Sequence, residues 1–236
     1  MINLFVNIYN ISMDEYDGEV GDYNSLVSFF IRKLDPEKRG LKKSKNFLLS
    51  PCDGIVSSIE QADSEKTIQA KGITYDINEF LNEKIDFENK WYVTTIYLSP
   101  KDYHRFHYPL DGAIRKYCHV RGHLYPVNNM GLKNIKNLFI KNERIVLEVG
   151  SNGNIYYICA VGATFVGSIK MDFIKKYKRD NKWKNISLNV SQTDEMGRFE
   201  LGSTIIMVTP ESLGTPIKNN IGKHVKTGEK LFTLKQ

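Results

Sequence analysis

At 236 residues, 41% of them hydrophobic, and with a formal net charge of +6, the chain is long enough for one domain with a substantial core and needs no covalent staple. No uninterrupted apolar run approaches the roughly 20 residues that cross a bilayer, and the amino terminus shows no basic region leading into an apolar stretch and cleavage site. The three cysteines, Cys52, Cys118 and Cys159, lack metal-type or redox-type spacing, which argues against a disulfide framework; the positive charge admits an acidic lipid surface or a nucleic acid as partner, but no nucleic-acid-binding motif is present.

In chain order, Tyr23, Leu26, Val27, Phe30, Ile31 and Leu34 recur at the spacing of one helical face, predicting an amphipathic helix over 22–34. Arg32 and Lys33 near its end suit both the helix dipole and an acidic membrane surface, so the apolar stripe either packs on the protein's own core or lies on lipid. From about residue 47 the texture becomes β. Strands are expected at Gly54 to Ile59, Trp91 to Leu98, Ala113 to Cys118, Arg144 to Val149, Ile155 to Val161 and Thr204 to Val208, separated by Gly, Asn and Pro turns. Short helices are expected near Ile77 to Leu81 and Leu132 to Phe139. Lys170, Lys175, Lys176, Lys178, Arg179, Lys182 and Lys184 form a basic cluster, either a solvated loop or a lipid contact. The fold class predicted is α+β, mostly β, with a sandwich- or barrel-like core in a single domain over 1–236.

Three Gly-Ser pairs occur, Gly150-Ser151, Gly167-Ser168 and Gly202-Ser203. The first sits in a turn composition, and the other two flank β-type runs, so local structure does not choose between them. Asp53-Gly54 and Asp111-Gly112 taken alone read as turns. His104 and His107, in His-x-x-His spacing, would serve as zinc ligands if His119, His123 or Asp111 supplied a third. Gly222 to Leu231 is similar to the closing turn and strand of biotinyl- and lipoyl-carrier domains, but the lysine such a carrier needs has only Lys170-Met171-Asp172 as a candidate.

The segment Asp194-Glu195-Met196-Gly197-Arg198-Phe199-Glu200-Leu201-Gly202-Ser203-Thr204 resembles the processing site of the phosphatidylserine decarboxylases, a family of pyruvoyl enzymes. Further blocks stand in family order: Ser28 to Leu34, Ser50-Pro51-Cys52-Asp53-Gly54, Tyr97 to Pro109 with Asp102-Tyr103-His104-Arg105-Phe106-His107, Leu124 to Asn128, Asn142 to Leu147, and Val161 to Ile169. Together they run from about residue 22 to the end.

The resemblance implies that Ser203 attacks the carbonyl of Gly202, that the chain divides into a β chain of residues 1–202 and an α chain of residues 203–236, and that Ser203 becomes a pyruvoyl group. Such a group answers a chemical need, since loss of carbon dioxide from an amino acid leaves a carbanion that no ordinary side chain delocalises. It implies His104 as the base for Ser203 and Asp53 as the acid that orients it, with His107 and Tyr125 lining the substrate pocket. The implied reaction converts phosphatidylserine to phosphatidylethanolamine and carbon dioxide; a related headgroup or lipid backbone is the nearest alternative, and a zinc hydrolase or carrier-like module the more distant one. The implied partners are phosphatidylserine, an anionic membrane surface at the cytoplasmic face of the cell membrane, and the two chains of one precursor, with a homodimer admitted and nucleic acid not expected.

Overall fold

The computed structural model describes residues 1–62, 66–69, 73–88, 90–164, 169–200 and 203–235. In chain order these form α1 (Ile2–Tyr9), α2 (Leu26–Phe30), α3 (Pro36–Arg39), β1 (Phe47–Leu49), β2 (Gly54–Ala62), β3 (Lys66–Gln69), β4 (Ile73–Asp76), α4 (Ile77–Leu81), β5 (Trp91–Leu98), β6 (Arg105–His107) and β7 (Gly112–Val120). They continue with α5 (Asn129–Asn134), α6 (Leu138–Lys141), β8 (Arg144–Ser151), β9 (Asn154–Val161), β10 (Ile169–Met171), β11 (Trp183–Val190), β12 (Glu195–Phe199), β13 (Ser203–Pro210), β14 (Gly214–Pro216), β15 (His224–Val225) and β16 (Lys230–Leu234). The architecture is mostly β, as the sequence predicts.

The main sheet is antiparallel with strand order β11-β7-β8-β9-β13-β5-β2-β15, and smaller sheets run β1-β16-β14, β10-β12-β6 and β3-β4. Strand β13 lies inside the large sheet, paired along its whole length to β5 and over Thr204–Val208 to β9. All eight of its residues are buried, which is why it reads as a continuous apolar run rather than an alternation. The β8–β9 hairpin turns on Asn152 and Gly153, both with positive φ, the backbone that matches the twist of the flanking strands; Gly150-Ser151 belongs to this hairpin. Strand β11, not among the expected strands, takes in Lys184 of the basic cluster and is the edge of the main sheet, with none of its residues buried, where the lysine suits an open edge.

Two expected helices are corrected. The helix over 22–34 shrinks to α2, which starts where Ser25 and Ser28 form a reciprocal cap and ends at Ile31. Beyond it the chain extends, with Leu34 bridging Tyr16. The reason is that Arg32 points inward: it is 1% exposed and its guanidinium donates to the carbonyls of Lys101 and Phe29 and to the Tyr16 hydroxyl. The helix expected over Leu132 to Phe139 is split into α5 and α6 by Asn137 in a left-handed conformation. Helix α1, unmarked in the sequence reading, presents Leu4 and Ile8 to solvent at 63% and 67% exposure, while Phe5 packs edge-on against Phe29.

Candidate active site

Ser203 opens β13 opposite Leu98, the last residue of β5. Six residues carry the chain from Leu98 to β6, and the last of them is His104, whose carbonyl accepts the Phe199 N–H at 2.9 Å. The end of β12 and the start of β13 thus hold the two residues on adjoining stretches of backbone. Both side chains are completely buried. The Ser203 hydroxyl and His104 Nε2 have no hydrogen-bond partner among the described residues, an arrangement that costs free energy and calls for an explanation. Gly202 and Leu201, the other half of the expected cut, and Gly167-Ser168 lie outside the described residues.

His104 is fixed as a particular tautomer. Its Nδ1–H donates to the Asp102 carbonyl at 2.8 Å, leaving the lone pair on Nε2. Its ring packs on Phe30 with centroids 3.9 Å apart, which is where α2 reaches the site. Burial, with the Arg32 cation nearby, lowers its pKa from 6.5 to about 4, so the imidazole is neutral across the physiological range.

Asp53 does not touch His104 through a hydrogen bond. Its carboxylate is gripped by Arg39 at 2.7 and 3.0 Å and by the Thr227 N–H at 2.8 Å, so the expected orienting contact is replaced by the Asp102 carbonyl. Arg39 and Asp53 are both nearly inaccessible, a setting in which each charge requires the other. The following Gly54 admits no side chain, since a Cβ there would meet the Tyr97 carbonyl oxygen at 2.5 Å; Asp53-Gly54 is therefore a strand entry rather than a simple turn. Asp53 still belongs to the same neighbourhood, because the Pro51 carbonyl accepts the His107 N–H at 2.7 Å.

His107 is also buried, with its pKa pushed down by that burial, but both nitrogens are engaged, Nε2 with the Tyr103 hydroxyl at 2.9 Å and Nδ1 with the Thr193 carbonyl at 2.7 Å. Tyr125 is half-buried, its ring tilted against His123, and is held through its backbone by Asn142. The next three residues, Pro126, Val127 and Asn128, line a cavity of about 430 Å³ together with Phe5, Phe30 and Tyr97. A second cavity of about 390 Å³ shares Tyr97, Val127 and Asn128 and adds Thr204, Thr95 and Ser57. Thr204 pairs with Tyr97 across the sheet, so both spaces adjoin the backbone that carries Ser203.

His119 binds Glu143 at 2.8 Å, away from the bonds that hold His104, and the described residues contain no group of three or more His, Cys, Asp or Glu side chains able to hold a metal. Four contributors were given no role at the site in the sequence: Arg32, Phe30, Asp102 and Arg39. Arg32, Phe30 and Arg39 act through partners distant in the chain, and Arg32 carried only the reading of a cation near a helix end.

Residues 26–233 match the model of the family described as phosphatidylserine decarboxylase. Relatives named phosphatidylserine decarboxylase proenzyme include one from Psychrobacter cryohalolentis, 34% identical and covering 99% of this chain and 87% of the relative. Another, from Helicobacter pylori, is 34% identical over 97% and 86% of the two chains, and one from Brevibacillus brevis is 33% identical over 99% and 88%.

Proposed function

Given that the chain belongs to the phosphatidylserine decarboxylase family, we propose that it is a self-processing proenzyme that decarboxylates phosphatidylserine to phosphatidylethanolamine and carbon dioxide. The observation that carries this reading is the pair of buried polar atoms, Ser203 Oγ and His104 Nε2, without partners among the described residues. A hydroxyl kept out of water and a neutral imidazole of fixed tautomer are the components of a nucleophile and its base. In processing, His104 takes the proton of Ser203 as Oγ attacks the Gly202 carbonyl, replacing the peptide bond by an ester and freeing the amine of residue 203. Removal of the Cα proton of residue 203 then expels Gly202 as a carboxylate. The resulting dehydroalanine tautomerises and takes up water, releasing ammonia and leaving a pyruvoyl group at position 203.

The residues present fit that group: position 203 is buried, its side chain has no competing partner among the described residues, and Thr204 lines a cavity with further hydroxyls. A pyruvoyl group supplies the electron sink for the carbanion left when carbon dioxide departs. The hydroxyls of Ser57, Thr95 and Thr204 suit a polar headgroup, and the apolar walls given by Phe5, Leu26, Phe30 and Pro100 suit acyl chains. The exposed apolar residues of α1, whose Phe5 lines the apolar cavity, favour peripheral attachment to an anionic membrane, with its cytoplasmic face as the proposed location.

The test is intact mass under denaturing conditions for wild type and Ser203→Ala, with decarboxylation assayed on phosphatidylserine vesicles. Two chains divided after Gly202, the smaller with a pyruvoyl amino terminus, and one inactive chain in the variant are expected. An uncut yet active wild-type chain overturns the proposal.

A further inference from the structure

We propose that His224 is a positioning residue for His104, acting through Asp102 from the carboxy-terminal side of the expected cut. The inference rests on the reading of Ser203 and His104 as nucleophile and base.

Asp102 works in two directions. Its backbone carbonyl accepts the His104 Nδ1–H at 2.8 Å, which sets the tautomer and aims Nε2. Its carboxylate accepts the Ser99 N–H and hydroxyl at 2.7 Å each through Oδ2, and faces His224 Nε2 at 2.9 Å through Oδ1. The Ser99 bonds close a local turn. His224 is different in kind, because it reaches Asp102 across 122 positions of sequence and ties the turn to the main sheet. Its own place is fixed by β15, whose residues His224 and Val225 pair with Ile55 and Gly54 of β2. The Asp102 side chain is only 4% exposed, and a buried carboxylate that loses a cationic partner is strongly destabilised. Removing the ring therefore loosens the turn whose carbonyl holds His104, although His224 touches neither Ser203 nor the substrate cavities among the described contacts.

The charges around the pair favour its ionic form. The hydrogen bond to Asp102 raises His224 above its ordinary pKa; burial would raise Asp102, but His224 and Ser99 outweigh it and hold the carboxyl below its usual range. Asp53 adds to the attraction on His224 and Lys101 opposes it, while Asp14, Glu15 and Lys226 border the same cavity of about 480 Å³. Below the raised His224 pKa the contact is an ion pair; above it, a neutral hydrogen bond. His104 has the opposite requirement and must be unprotonated, which holds above about pH 4. Processing thus gains an acid limb from His104 and an alkaline limb from His224.

The experiment follows the rate at which newly synthesised full-length chain divides in a cell-free system, between about pH 4.5 and about 9, for wild type, His224→Ala and His224→Gln, with Ser203→Ala as the uncut control. His224→Ala is expected to slow division about tenfold, the equivalent of one pKa unit of interaction. His224→Gln, whose amide can donate to the same oxygen but carries no charge and does not titrate, is expected to divide faster than Ala, at the rate wild type shows above the His224 pKa, and so to lose the alkaline limb while keeping the acid one. A wild-type rate in both variants, or a Gln variant as slow as Ala with the alkaline limb intact, overturns the role of His224; thermal melts of both variants identify loss of folding, in which case the Gln profile decides. An uncut wild type overturns the Ser203 reading as well, so the two failures are distinct.

Discussion

Replacing His104 by Gln in a Ser203→Ala chain should remove a defined part of the protein's acid sensitivity. The native state holds His104 neutral down to about pH 4, whereas the ordinary value is 6.5. Between those values the unfolded chain binds the proton that the folded one refuses, so stability rises with pH through this window and falls as acid is added. A gap of this size corresponds to about 3 kcal/mol, accumulated as pH drops from about 6.5 to about 4 and constant below it. Burial is the main cause and Arg32 adds to it, while both remain in the variant. Urea unfolding of the two chains at several pH values measures the difference directly. His107 and His224 titrate in both chains, and their contributions cancel in the comparison. The expected result is a stability difference that shifts by about 3 kcal/mol in favour of Gln between pH 7 and pH 4. Parallel pH curves would refute the assignment of His104 as a buried, neutral base.

After division, the 203–235 segment should remain with the larger chain, because β13 pairs on both sides and Ile205, Ile206, Met207, Val208, Leu231 and Phe232 are buried, each contributing ~2 kcal/mol. One peak in native gel filtration and two bands under denaturant are expected; a free small chain in native buffer would contradict this packing. Arg39→Met leaves the Asp53 carboxylate buried without its guanidinium and should cost ~3–5 kcal/mol, read as a lower Tm; a Tm equal to wild type would show that Asp53 is solvated. Leu4→Asp combined with Ile8→Asp changes side chains that are already exposed, so melting should hardly move while affinity for phosphatidylserine-containing vesicles drops about tenfold or more. Unchanged vesicle binding would remove α1 from the membrane contact.

Strand β5 and helix α4 follow the sequence closely for local reasons. Trp91 to Leu98 is dense in β-branched and aromatic residues, and α4 begins at Asp76, whose carboxylate caps the Glu79 N–H. Periodicity misled over 22–34 because a helical spacing of apolar residues does not say which side chain the core will recruit. Arg32, placed by pattern on a surface, is drawn inward by carbonyls of residues 101 and 102, and the backbone leaves the helix to deliver it. Residues 183–190 escaped the pattern because an exposed edge strand pairs through its backbone and needs few apolar side chains.

For the candidate site, the ordered motifs named Ser203, His104 and Asp53, since motif identity depends only on residue type and order. Which acceptor meets His104, and what neutralises Asp53, depended on the tertiary structure alone. Asp102 offers its carbonyl from two residues away and Arg39 crosses from α3, while His224 comes from beyond the expected cut. A chain read in one dimension carries propensity, pattern and motif. Hydrogen bonds between distant residues, and the burial that shifts a pKa, arise only when folding brings those residues together and excludes water from between them.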